Sequence, residues 1–285
     1  MILVIGGRSK IGSALIGELA DSGEAVRALV RADGTDAQFP EGVEAVTGDL
    51  ADRDSLRSAV TGADRLFLLC GPAEQEVELN RNAIDVAKEA RLRLLVRSSI
   101  LGADPESHAT FARDHGRSDA YLRESNLPYA VVRPNMFMQN IPENTIPSID
   151  SDGNFYANAG VARISMVDTR DVAAVAAHLL SEPGHDGGVY DVTGPEALSY
   201  QDVAGKLSDT LGREITYVDA PDEAVGGALA GFGLDDWLVG ALVDLFGDYR
   251  RSGTDGYAAQ VTDTVERLTG RPPRSLDQLL AEAAQ

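Results

Sequence analysis

The first twelve residues constrain the fold more than any other stretch of the chain. Four apolar residues, Ile2-Leu3-Val4-Ile5, break on Gly6-Gly7 and pass through Arg8-Ser9-Lys10-Ile11 to Gly12. A short, continuously apolar run suits a strand buried on both faces, and glycines end it. Ile11, Leu15, Ile16 and Leu19 then recur at helical spacing until Gly23 stops the pattern. A buried strand turned by glycines into a helix is the opening of a βαβ unit. Its turn gathers backbone N–H groups and the positive end of a helix dipole around one point, which suits an anion.

The alternation continues. Strand-like runs at 25–30, 43–46, 65–69, 92–96 and 129–132 are separated by helical patterns at about 56–60, 77–90 and 110–125. Strands linked by helices require crossovers, so the pattern predicts an α/β fold with a doubly wound parallel (Rossmann) sheet. After Pro134 the pattern changes. Residues 135–160, rich in Asn, Pro, Gly and Ser, read as an excursion toward a substrate pocket. A strand at 164–167 and a helix at 171–180 are expected to rejoin the main body, followed by a strand at 189–192. From Ser199 come amphipathic helices, a short strand at 215–218 and a glycine-dotted apolar stretch at 224–246. The expected division is a nucleotide-binding domain over 1–192 and a smaller, mainly helical substrate lobe over 193–285.

Charge narrows the ligands. With 25 Lys+Arg against 45 Asp+Glu, the net charge of −20 and the lack of a basic run argue against direct nucleic-acid binding. An anionic ligand therefore needs local positive groups. Cys70 is the only cysteine, so no intramolecular disulfide and no Cys-based metal cluster can form, and no metal site is expected. Cysteine usage suits a reducing cytoplasm. No apolar run approaches a membrane span, and the amino terminus lacks a charged leader region. The expected partner is a small-molecule substrate, with monomer and homodimer both left open.

The glycine turn is a candidate dinucleotide site made of Gly6, Gly7, Arg8, Ser9, Lys10, Ile11 and Gly12. Gly6 permits the tight turn, and Gly12 lets the helix pack closely on the strand. Ser9 departs from the pattern, standing where a glycine usually lets the pyrophosphate approach, and its hydroxyl can donate to that group. At the end of the second strand an acidic residue would select NAD, but Arg31 stands there instead. Arg31 and Arg8 can clamp a 2′-phosphate with forked hydrogen bonds. NADP(H) is therefore the preferred cofactor and NAD(H) stays open, with Asp33 two residues on weakening the inference.

Further segments follow in order: Val26-Arg27-Ala28-Leu29-Val30-Arg31, Gly48-Asp49-Leu50, Leu68-Leu69-Cys70-Gly71-Pro72, Ser98-Ser99 and Leu122-Arg123-Glu124-Ser125. Arg133-Pro134-Asn135-Met136-Phe137-Met138-Gln139-Asn140 and Val167-Asp168-Thr169-Arg170-Asp171-Val172 complete the series. Together with the glycine turn, these resemble the NmrA-like branch of the atypical short-chain dehydrogenases/reductases, including its NAD(P)H:quinone oxidoreductase type, over roughly residues 1–195. The resemblance implies that Asp49, Leu50, Cys70, Gly71 and Pro72 line the adenine and ribose side of the cofactor. It implies that Ser98 belongs to the cofactor site and that the segment Arg133 to Phe137, with Pro134, Asn135 and Phe137, approaches the nicotinamide and the substrate pocket, Phe137 and Met138 either lining that pocket for substrate or packing in the core. Asp168 and Asp171 are expected to orient loops and cap the following helix.

Members of the wider superfamily that act on alcohols pair a Tyr acid/base with a Lys four residues later. Here the counterparts are Phe111 and His115. Phenylalanine has no proton to give, which forfeits a contribution of about 10²–10⁴-fold to carbonyl reduction. His115 is the catalytic candidate, able to bind a ribose hydroxyl or to donate a proton, while Tyr121 reads as packing. The expectation is an NADPH-dependent oxidoreductase, lacking the usual Tyr-Lys pair, that passes hydride to a small electrophilic acceptor such as a quinone or imine. The alternative is a catalytically weak NADP(H)-binding redox sensor or regulator.

Overall fold

The computed structural model describes residues 1–31 and 38–284, so Asp33 lies outside the described residues. Six strands follow one another with crossover helices: β1 (Ile2–Ile5), α1 (Lys10–Asp21), β2 (Val26–Val30), β3 (Glu44–Thr47), α2 (Arg53–Val60), β4 (Arg65–Leu68), α3 (Glu76–Glu89), β5 (Leu94–Ser98), α4 (Thr110–Glu124) and β6 (Tyr129–Pro134). The excursion carries a π-helical turn (Ile141–Thr145) and β7 (Asn154–Ala157), after which α5 (Thr169–Ser181) leads to β8 (Gly188–Val192). The remainder holds α6 (Tyr200–Leu211), β9 (Thr216–Asp219), α7 (Asp222–Gly231), α8 (Asp236–Ser252), α9 (Thr264–Thr269) and α10 (Leu276–Ala283).

The main sheet is wholly parallel, in the order β3-β2-β1-β4-β5-β6-β8. Strand order reverses between β1 and β4, so the crevice beyond their carboxyl ends is the ligand position for such a sheet. Period-two alternation divides the core between its faces. Ile2, Val4, Phe67, Val96, Ala130 and Val132 pack against α1 and α5. Leu3, Ile5, Leu66, Leu68, Leu95 and Val131 pack against α2, α3 and α4. Arg97 and Arg133 continue that second alternation at the carboxyl ends of β5 and β6, which puts two guanidiniums where the apolar pattern calls for side chains facing α3 and α4.

Two expectations change. The expected strand at 164–167 forms no ladder, because its backbone bonds run to separate places, Leu198, Ala258 and the chain on either side of Phe137. Ile164 pairs with Leu198, the Ser165 N–H reaches Ala258 O, the Val167 N–H reaches Met136 O, and Val167 O accepts from Met138. A strand not foreseen, β7, lies inside the excursion and pairs in parallel with β9, Asn154 opposite Thr216 through Ala157 opposite Asp219. The second core is accordingly built from both segments. Met138, Ile141, Phe155, Ile164 and Met166 interdigitate with Leu198, Val203, Leu207, Tyr249 and Leu276. The chain then returns to the main body, where Val265 of α9 enters the first core. Among the described residues no helix is long and apolar enough to cross a membrane.

Candidate cofactor-binding and active site

The turn after β1 is held by close approach. Gly6 has a φ of +86°, and a Cβ on Gly12 would stand 2.2 Å from Gly6 O. Ser9, in extended conformation, is the cap of α1: its Oγ accepts from the Gly12 N–H at 3.0 Å, and its carbonyl accepts from Ser13. The residue that departs from the glycine pattern thus does a job glycine cannot, since serine caps a helix through its hydroxyl oxygen. Of the first-turn donors, the N–H groups of Lys10 and Ile11 have no acceptor among the described residues. Two orphan donors at the positive end of a twelve-residue helix, under a turn too tight for a Cβ, fit a dinucleotide's pyrophosphate.

Arg8 and Arg31 are both exposed at this same edge, because Ile5 and Leu29 are in register and the two arginines lie just beyond them. Lys10 reaches across to Glu143 in the π-helical turn, Nζ to Oε2 2.5 Å, both half in solvent. That pair draws the excursion against the turn.

The segments expected to line the adenine side lie at the ends of β3 and β4. Asp49 shapes its own loop, its Oδ1 accepting from the Ala51 N–H at 2.8 Å, and Leu50 O accepts from Asn82 at 3.0 Å. Gly71 and Pro72 are exposed just after β4. Burial, with the Glu76 carboxylate nearby, pushes the Cys70 thiol up to about 12, so it is a packing group and not a thiolate.

A buried polar cluster joins the carboxyl ends of β5 and β6 to α3 and α4, on the side where the nicotinamide end is expected. Arg97 is fully buried. Its Nε donates to Asn80 Oδ1 at 3.0 Å, its Nη2 to Glu76 Oε1 at 2.6 Å and to His115 Nδ1 at 3.0 Å, and its Nη1 to Asp119. Arg133 donates twice to Asp119 Oδ2, at 3.1 and 2.8 Å, and the Ser99 hydroxyl adds a third bond at 3.0 Å. Ser118 donates to Glu76 Oε2 at 2.9 Å. Two guanidiniums and two carboxylates balance, with their polar atoms shared out among the four and their neighbours. Burial, then Arg97 and Arg133, hold His115 well below the ordinary imidazole value, so the ring is neutral. At neutral pH it is not an imidazolium acid.

Other expected residues fall as follows. Ser98 is buried at the end of β5, next to the engaged Ser99. Pro134 ends β6. Asn135 is committed to structure, donating to Ser165 Oγ and Ala258 O and accepting from the Met136 N–H. Phe137 is half-buried where it bridges Val167. Of the two roles open to Met138, pocket lining and core packing, the structure gives it the second: it is entirely buried in the second core. Asp168 caps α5 through the Arg170 N–H, and Asp171 holds Arg274, as loop-orienting residues should. The Tyr121 hydroxyl donates to Asp85 on α3, so this tyrosine packs. Phe111 stands edge-on to Trp237 of α8, ring centroids 5.9 Å apart, which ties α8 to the first turn of α4.

Sequence reasoning passed over Arg97, Glu76, Asn80, Asp119 and Trp237. A signal was present for four of them. Arg97 is a charge inside an otherwise apolar strand, and Glu76/Asn80 and His115/Asp119 are pairs spaced one helical turn apart.

A parallel sheet in this order, with a glycine-turned anion site at its switch point, defines a Rossmann-type dinucleotide-binding protein. Comparison with known proteins agrees. The family model described as NAD(P)H-binding matches residues 6–183. The chain is 36% identical over 277 residues to an NAD(P)H azoreductase of Xenophilus azovorans, covering 96% of this chain and 95% of that one. It is 34% identical over 287 residues to a (4-alkanoyl-5-oxo-2,5-dihydrofuran-3-yl)methyl phosphate reductase of Streptomyces griseus subsp. griseus, covering 100% and 98%. The solved structure of an Escherichia coli NADPH-dependent quinone oxidoreductase complexed with NADPH superposes with a TM-score of 0.88 at 27% identity, covering both chains fully. The chain belongs to the NAD(P)H-binding family, and its resemblance to NmrA-like proteins of the quinone oxidoreductase type holds.

Proposed function

We propose that the protein is an NADPH-dependent oxidoreductase that passes hydride to a small, electron-poor acceptor such as a quinone, an imine or an azo compound. What supports this reading is a glycine turn of dinucleotide type together with a sequence in which Phe111 aligns with the tyrosine of alcohol-oxidising relatives and an imidazole, His115, that burial and two arginines keep neutral. When bound, the reduced nicotinamide supplies hydride. The chain's own residues orient and enclose. Lys10 and Ile11 offer amides to the pyrophosphate, Arg8 and Arg31 meet the 2′-phosphate, and His115 offers one N–H. Acceptors that are already electron-poor need positioning more than they need an acid, and water can complete protonation. The named substrates of the relatives, an azo group, a quinone and an acylated dihydrofuranone, share this electron deficiency.

The test is consumption of NADPH by purified protein with benzoquinone, an azo dye and a cyclic imine as separate acceptors. Turnover with at least one is expected. If NADPH and NADP⁺ bind with equal affinity and no acceptor is reduced, the redox-sensor reading replaces this one.

A further inference from the structure

We propose that Arg97 is a positioning residue for the nucleotide site: it fixes His115 as the tautomer protonated on Nε2 and so presents that N–H to the ribose hydroxyls beside the nicotinamide. The inference rests on the nucleotide site proposed above and assigns a role to a side chain buried behind it.

The argument is one of donors and acceptors. A guanidinium carries five N–H donors and no acceptor, and it keeps its charge in proteins. The Nη2 of Arg97 lies 3.0 Å from His115 Nδ1. Nδ1 must therefore turn its lone pair toward Arg97, and the proton of a neutral ring must sit on Nε2. A second proton has no place. Arg97 from β5 and Arg133 from β6 face the ring with positive charge, and the thiol of Cys70 beyond β4 stays neutral. Asp119, one turn along the same helix, accepts from both arginines. Asp114 is paired with Arg113 at 3.2 Å. Glu76, on α3, is 3.6 Å from Nδ1, but its carboxylate already accepts from Arg97, Asn80 and Ser118.

Place completes the argument. Phe111 and His115 share one face of α4, a turn apart, and the imidazole meets Arg97 at the carboxyl end of β5. That end borders the crevice where the sheet topology puts a dinucleotide. A fixed, uncharged N–H is a suitable donor to a sugar hydroxyl, and it behaves the same across the pH range in which a free imidazole would titrate.

The experiment is ring nitrogen NMR of the uniformly ¹⁵N-labelled full-length chain, with His115→Gln used to assign His115 among the four histidines. The wild-type ring is expected to show Nδ1 unprotonated and Nε2 protonated from about pH 5.5 to 8, and its Nε2–H resonance is expected to move when NADP⁺ is added. The paired variant Glu76→Gln/Arg97→Met removes one charge of each sign. In it the ring should mix tautomers, and the NADP⁺ dissociation constant by calorimetry should rise about 3- to 10-fold, the loss of one hydrogen bond. A wild-type ring protonated on Nδ1, or one that titrates near an ordinary imidazole pH, overturns the role of Arg97 even if NADP⁺ binds normally. So does a folded paired variant whose tautomer and affinity are unchanged. If that variant does not fold, the wild-type spectrum decides alone. Failure of NADP⁺ to bind the wild type would instead overturn the nucleotide site itself.

Discussion

Arg8 and Arg31 stand at adjacent strand ends and face solvent, so each bond they would make to a 2′-phosphate is charge-assisted but screened. The Arg8→Ala/Arg31→Ala double variant is expected to weaken NADPH about tenfold while leaving NADH nearly untouched, which paired titration calorimetry would read. Equal losses for both nucleotides would show that the arginines do not discriminate. His115 carries a stability consequence. Its folded value lies below the ordinary 6.5, so under acid the unfolded chain takes up a proton that the folded chain refuses. Stability is retained above that ordinary value and falls as pH drops below it. Urea unfolding between about pH 7 and 5 should therefore show a slope shallower in His115→Gln than in wild type, by up to about 1.4 kcal/mol per pH unit. Comparing the two proteins removes the opposite contributions of Asp171 and Asp191, whose carboxyls are raised by burial. At this scale the sequence was readable where backbone geometry demands one residue type, as at Gly6 and Gly12, or where a familiar pair was broken, as at Phe111. It was opaque where a residue's meaning depends on partners far along the chain. Nothing near Arg97 in sequence announces Glu76 and Asp119, 21 and 22 residues away on two different helices.

Among the elements, the inner strands β1, β4, β5 and β6 could be read because both faces of a parallel sheet are buried and their runs are mostly apolar, while the exposed edge strand β3 shows only as a short run beside them. The run at 164–167 shows the limit of that rule. It is equally apolar and equally buried, yet its backbone is satisfied by separate neighbours, and apolarity reports burial, not pairing. Strand β7 escaped notice for the opposite reason: four residues ending beside Asn158 in a polar stretch carry no pattern of their own, and β9 supplies it. The glycine-dotted stretch at 224–246 became two helices. Of these, α7 buries no residue at all, and it is held by packing on α8 and by the hydrogen bond from Asn158 to Asp222 at its first residue. Trp237 of α8 makes the edge-to-face contact with Phe111, an arrangement worth about 0.5–1.5 kcal/mol beyond its area. Trp237→Ala is expected to loosen this hairpin and to raise protease cleavage within α7 and α8, with the far-ultraviolet dichroism of the rest preserved. An unchanged digestion pattern would mean that Thr110, whose hydroxyl donates to Asp244 at 3.1 Å, is anchor enough.

Across the whole molecule, the parallel sheet and the nucleotide turn were legible because local patterns add up along the chain. The second core was not, since its two halves lie on either side of α5 and β8 and only meet in space. This interleaving has a consequence for how the chain comes into being. During synthesis β7 emerges with Phe155 uncovered, and it waits some 62 residues for Thr216 and its neighbours to appear. Until then Met138, Ile141, Ile164 and Met166 have no lid, while the sheet beside them can already close. A nascent chain halted at Val192 would thus hold the seven-stranded sheet with a sticky flank and without α9 on its first core, and a fragment ending there is expected to sediment or to associate with chaperones. A soluble, monomeric 1–192 fragment would contradict this. The order of birth, sheet first and the second core's closing half last, leaves a vulnerable interval that only completion of the carboxyl-terminal third ends.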